Sequence, residues 1–134
     1  MFELARERGV ASEPVMRQEL VQYLILLEVH RLTLQRVRRA VAEGRAGAGT
    51  SLAKLSLSRI CRYSRDLSFR ILGAAATLSG GDAPYGGEIQ RVGLASPGVS
   101  IGAGTDEIQR NTIAERVLGL PSELRNRPDQ HDRT

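Results

Sequence analysis

Residues able to do chemistry concentrate between Ser100 and Pro121, in the run SIGAGTDEIQRNTIAERVLGLP. Gly102 and Gly104 permit backbone angles and close approaches that a side chain forbids. Thr105 follows as a helix N-cap, and Asp106 and Glu107 place negative charge in the first turn, where the helix dipole favours it. Unpaired N–H groups at such a terminus are a generic place to hold an anion. Neither standard nucleotide signature is complete: no Gly-Lys-Ser/Thr ending makes a P-loop, and Glu107 stands where a dinucleotide fingerprint needs a third glycine. Gly119 and Pro121 supply the stop. Ile108, Ile113, Val117 and Leu120 predict an apolar side by which this helix docks, and residues 99–101 predict a short extended lead-in.

Elsewhere the reactive groups are sparse. One cysteine, Cys61, rules out a disulfide framework within the chain and a cysteine-rich metal site. It stands beside Ile60 with no histidine near it in the pattern, so it reads as a small buried residue and not a nucleophile. Glu28, His30 and Arg31 interrupt an apolar stretch; they read as a Glu28–Arg31 pair one turn apart, with His30 on a solvated edge. Arg62 and Asp66 form a second possible pair, at i, i+4. No metal-ligand set emerges. The Gly102-to-Glu107 turn is similar to the calcium loop of the annexins, but that family's distant carboxylate ligand and its internal repeat are both missing.

The elements that carry these groups read as helices. Residues 1–11 predict the frayed last turn or two of a helix ending at Gly9. Ser12 as N-cap and Pro14 in the first turn then open a long helix reaching about Glu43. Its seam is Leu20, Leu24, Leu27, Leu34 and Val41, widened by Val21, Ile25, Val29 and Leu32, broad enough to touch more than one neighbour. Gly44 to Gly49 reads as a flexible loop. Thr50 or Ser51 caps the next helix, which sends Leu52, Leu55, Ile60, Leu67, Ile71 and Leu72 inward and Lys54, Arg59, Arg62 and Arg65 mostly outward. Gly80 to Pro84 ends it, and 85–98 reads as irregular with a turn of helix near Glu88 to Arg91. Residues 122–134 have few apolar residues and are expected to be disordered.

With 134 residues, 41% of them hydrophobic and 4% aromatic, there is room for one helical domain with an aliphatic core. The net charge of +4 is spread over every segment with carboxylates between the arginines and no aromatic platform, which argues against nucleic acid as a partner. No run approaches the ~18 apolar residues of a membrane span, and no signal peptide is evident. A cytoplasmic location is the default expectation. Two long amphipathic helices and one short one leave apolar stripes uncovered, so the fold is expected to be incomplete alone.

The run Gly104 to Asn111, and again Ile113 to Pro121, resembles the C-terminal signature of the acyl-CoA dehydrogenase family, with Thr112 the unusual residue. The Leu26-Glu28-Arg31-Leu32-Thr33 set, Ser51 to Leu55 and Ile71-Leu72-Gly73 are similar to the same family's helical domain. The resemblance implies an all-α fold over residues 1–121, an antiparallel helical bundle lacking its first helix. It implies the removal of two hydrogens from an acyl-CoA thioester, a carboxylate taking the α proton and flavin adenine dinucleotide (FAD) accepting the β hydride. In many members the base immediately precedes the Gly-Thr of the signature. Here that position is Ala103, so no catalytic base can be named. In other members it lies on the domain's first helix, which would fall before Met1.

Carried over by position, Thr105, Asp106 and Glu107 match family residues that contact the flavin. Arg70 and Gly73 align with a second cofactor segment that serves a neighbouring subunit, although Arg70 replaces a glutamine and Ala74 a glycine. The resemblance therefore implies FAD only in an assembled complex, with a homo-oligomer or a longer acyl-CoA dehydrogenase chain as partner. Acyl-CoA would be bound only there, and the chain alone would be inactive. A helical oligomerisation remnant that keeps no cofactor is the rival expectation.

Overall fold

The computed structural model describes residues 1–45 and 47–122; the expected disorder of 122–134 therefore lies, apart from Ser122, outside the described residues. The described chain is helical and contains no strand. Helix α1 covers Phe2–Glu7, α2 Pro14–Ala42, α3 Gly49–Leu72, α4 Glu88–Ala95, α5 Pro97–Ile101 and α6 Asp106–Arg116, with three short 3-10 turns between α3 and α4. An all-α bundle is thus the observed fold class.

The two long helices form the frame. α3 is the hub: α2, α4, α5 and α6 all pack on it, and α1 touches it as well. The core sits where the start of α2 meets the end of α3, built from Leu4, Ala5, Leu20, Leu67, Ile71 and Leu72 and flanked by Met16, Tyr23, Tyr63 and Ile89. Tyr23 and Tyr63 stack across that junction with ring centroids 6.4 Å apart, an offset aromatic arrangement that adds to simple burial. α1 is not frayed. Its Ala5 is fully buried and Leu4 nearly so, because this single turn and a half fills a gap that the aliphatic side chains of α2 and α3 leave.

Several local expectations are corrected. The caps differ: Glu13, not Ser12, stands at the N-cap of α2, and Ala48, not Thr50 or Ser51, at that of α3, neither with a side-chain cap hydrogen bond. Residues 99–101 belong to α5 instead of an extended lead-in, and most of 85–98 is helical, divided between α4 and α5. Leu52 points outward. Of the apolar side expected for α6 only Ile113 is half-buried, while Ile108, Val117 and Leu120 remain exposed, and the buried residue of that helix is Asp106. Of the α2 seam only Leu20 is buried; Leu26, outside it, is the other buried residue of that helix, and Leu24, Leu27 and Val41 are exposed. The uncovered apolar stripe is thus present on α2.

Among the isolated reactive groups, Glu28 and Arg31 form the expected exposed pair, with two hydrogen bonds from the guanidinium to the carboxylate. His30 is half-buried and its Nδ1 has no partner, unlike the solvated edge expected for it. Cys61 is half-buried. Arg62 turns away from Asp66, which meets Arg65 instead.

Candidate functional site

The turn before α6 is held open by its backbone. Ala103 and Gly104 both lie at positive φ, +54° and +88°, a region that costs a residue with a Cβ about 1 kcal/mol or more. The Gln109 side chain folds back and donates to the Ala103 carbonyl at 2.9 Å. That amide nitrogen would stand 2.9 Å from a Cβ at Gly104 and would have to shift, giving up its hold on Ala103, while the φ of +88° itself favours glycine. Thr105 then caps α6 as its type suggests, its Oγ1 accepting from the Ile108 N–H at 3.3 Å.

Asp106 does something the sequence did not show. It is only 4% exposed, and its two carboxylate oxygens are claimed by α3: Lys54 Nζ at 2.6 Å from one and Arg62 Nη1 at 2.8 Å from the other. The same two cations also donate to Ser100, Lys54 to its carbonyl at 3.1 Å and Arg62 to its hydroxyl. The Lys54 ammonium, against the opposing cost of burial, holds the Asp106 carboxyl far below the usual carboxylate range, with Arg62 and Ser58 adding to the effect. Lys54, Ser58 and Arg62 are spaced i, i+4, i+8, one stripe of α3, and fully buried Ser58 lets α5 approach. The expectation that Lys54 and Arg62 point mostly outward is therefore corrected. The signal was in the sequence as that spacing, but charged types read as solvent-facing by default.

Glu107 behaves oppositely. Its side chain is exposed, pairs loosely with Arg110 at 3.3 Å, and is held below its ordinary acidity range first by its own backbone N–H and then by the Thr105 hydroxyl. Thr105 and Glu107 thus line an accessible helix N-terminus, whereas Asp106 anchors it from beneath.

Arg70 and Gly73 lie elsewhere on α3. Arg70 is eight residues past Arg62, about 12 Å along the helix axis at 1.5 Å per residue. Its guanidinium makes a bidentate pair with Glu19, at 2.8 and 3.2 Å. Tyr63 donates to the same carboxylate and to the Glu19 carbonyl. Gly73 closes α3 at φ +57°. Within one chain the two predicted halves of the site are not brought together. The α6 end suits an anionic cofactor, with a glycine turn and a capped N-terminus facing outward. At the Arg70 end the guanidinium, about half exposed, is paired with Glu19.

Two clefts accompany these features. One, of about 780 Å³, opens between α2, α3 and the start of α6. The other, of about 790 Å³, lies between α1, α3 and α4 and has an apolar floor of Leu4, Ile60 and Val92. Two of its three lining carboxylates are engaged: Glu88 pairs with Arg91, and Glu7 accepts from Tyr85. Among the described residues there is no cluster of three or more His, Cys, Asp or Glu able to hold a metal ion, and no helix is long and apolar enough to cross a membrane.

Residues 2–118 match the family model described as "Acyl-CoA dehydrogenase, C-terminal domain". Two curated relatives, both named acyl-CoA dehydrogenase IpdE1, align over 126 residues and 93% of this chain. The protein of Mycolicibacterium smegmatis is 34% identical and that of Mycobacterium tuberculosis 32%. The chain spans only 30% and 32% of the length of those relatives. Among solved structures, the ChsE4-ChsE5 complex from Mycobacterium tuberculosis superposes with a TM-score of 0.75 at 25% identity, over 90% of this chain and 35% of the matched one. The helical hub, the capped turn before α6 and these matches agree that this chain belongs to the acyl-CoA dehydrogenase family, as its C-terminal helical domain.

Proposed function

We propose that residues 1–121 act as the C-terminal helical unit of an acyl-CoA dehydrogenase that works only within a larger assembly, as a homo-oligomer or with a longer chain of the same family. Bound FAD would supply the hydride acceptor for α,β-dehydrogenation of an acyl-CoA thioester. This chain would contribute Thr105 and Glu107 to its binding, at the N-terminus of α6. Asp106 would serve the site indirectly, by fixing that terminus on α3. The observation that carries this reading is the turn itself: two positive-φ residues, Ala103 and Gly104, deliver a capped helix end to the surface while a buried ion pair clamps it from below. No base is assigned, since Ala103 has no group to take a proton, and the chain by itself is expected to be inactive.

The test is co-purification of the tagged chain from its native cells, followed by an absorbance scan across the flavin bands. A yellow complex containing a longer acyl-CoA dehydrogenase chain, whose flavin content falls on Thr105→Ala, supports the reading; a colourless complex would sink it. The second reading, a structural oligomerisation element that keeps no cofactor, draws on the Glu19–Arg70 pair, which consumes the cation that would meet a phosphate.

A further inference from the structure

The turn that leads into α6 is held at both feet by α3. Lys54 donates to the Ser100 carbonyl and to the Asp106 carboxylate, and Arg62 reaches the same two residues. Those contacts fix where the turn starts and ends, but not which way its middle peptides face. Ala103, between the feet, is a non-glycine residue at φ +54°, a conformation that persists only where the surroundings impose it. Ala103 is exposed, so packing on its side chain does not impose it.

Gln109 supplies the missing constraint. It is the fourth residue of α6, and side chains on a helix lean back toward its N-terminus. Its amide therefore reaches over the open end of its own helix and donates to the Ala103 carbonyl at 2.9 Å. The peptide that follows Ala103 is trans, so its C=O and N–H point in opposite directions. A carbonyl held toward Gln109 sends the Gly104 N–H away from it, and no backbone carbonyl among the described residues accepts from that N–H. A flip of this one peptide plane would reverse both groups while leaving the two feet in place.

We propose that Gln109 is a positioning residue, which locks the Ala103–Gly104 peptide in the orientation that presents the Gly104 N–H to an acceptor oxygen of the cofactor at the α6 terminus. The inference rests on the reading of that terminus as part of a flavin site, and it adds the device that sets the direction of one of its donors. The neighbouring polar groups are otherwise occupied. The Thr105 hydroxyl accepts from the Ile108 N–H, and the Glu107 carboxylate, which has no proton to donate, pairs with Arg110.

Two variants test it. Gln109→Glu keeps the size of the side chain but replaces the donor with a carboxylate, which the start of a helix accommodates well. Gln109→Leu removes the donor without adding charge. In NMR spectra of the full chain, the Ala103 HN–Hα coupling and the Gly104 amide shift should leave their parent values in both variants, while the amides from Arg110 to Arg116 stay unchanged. The carboxyl of Gln109→Glu regains a donor when protonated, so its spectrum should move back toward the parent as pH falls from about 6 to about 4; that of Gln109→Leu should not. In the co-purified complex at neutral pH both variants should weaken flavin retention about threefold or more. Parent-like Ala103 and Gly104 signals in both variants overturn the lock, and altered signals beside unchanged flavin retention overturn the presentation of Gly104 to the cofactor. Unaltered spectra beside a yellow complex reject the role of Gln109 alone; a colourless parent complex rejects the cofactor reading, whatever the spectra show.

Discussion

Lys54 Nζ stands 2.6 Å from Asp106 Oδ1, joining residues 52 positions apart across the α3–α6 contact. With Arg62 on the other oxygen, the carboxylate is both buried and fully claimed. Removing one member of such a set costs more than the set contributes, because the remaining charges stay desolvated. Asp106→Asn should destabilise the chain by about 3 kcal/mol in urea unfolding. The pH dependence has a definite sign. A depressed carboxyl contributes stability that is present above its unfolded value of about 3.9 and is lost as pH falls below it. The parent should therefore lose stability steadily below about pH 4, with a slope that Asp106→Asn flattens.

Tyr63 predicts an alkaline counterpart. Burial, then its hydrogen bond to Glu19 and the charge of that carboxylate, push its phenol up to about 12. A raised phenol contributes stability below its unfolded value of about 10 that is lost as pH rises toward 12. In a spectrophotometric titration one tyrosine should ionise last. Glu19→Gln should bring that step back toward neutrality without restoring it fully, since burial remains; an unchanged titration would mean the two groups are uncoupled.

Gly93 is where α4 meets α3. A Cβ there would stand 2.7 Å from the Phe69 ring, closer than real contacts allow. Gly93→Ala should cost about 1–3 kcal/mol through overpacking. Gly98→Ala on α5 meets nothing within 4 Å and should be neutral or slightly stabilising. Thermal unfolding of the two variants side by side separates close approach from simple helix propensity.

The turn before α6 should be sensitive at one position and forgiving at its neighbour. Gly104→Ala adds a side chain at φ +88° against Gln109 and should destabilise by about 1–2 kcal/mol. Ala103→Gly removes a Cβ at φ +54° and should stabilise slightly or leave the melting temperature unchanged. In the assembled protein Gly104→Ala should also lower flavin content, a readout that an ordinary loop would not move.

Arg70→Gln installs the glutamine that the family resemblance implies at that position. Its pair with Glu19 is half exposed, so stability should change by less than about 1 kcal/mol. If the Arg70 end contributes to a cofactor site, flavin content of the assembly should rise; an unchanged content would favour the reading in which that end is structural.

The helices, the Thr105 cap, the Glu28–Arg31 pair and the family were legible from residue types, because each depends on contacts within one or two turns or on a contiguous signature. The α2 seam was legible as a broad apolar helix, but which side of it faces inward was not, since several sides carry leucines. Residues 85–101 were misread for a related reason. Gly and Pro there signal loop locally, yet packing on α3 supplies what weak helix formers lack. The sequence by itself therefore determined that two long helices and a Thr105-capped one make up the frame, and the family. Only the tertiary structure decided that Asp106 is a buried anchor while Glu107 stays exposed, and that Arg70 pairs with Glu19. The physical reason is that a charge's role depends on its partner, and Lys54, Arg62 and Glu19 reach theirs across 38 or more residues of chain, a separation over which local spacing carries no information.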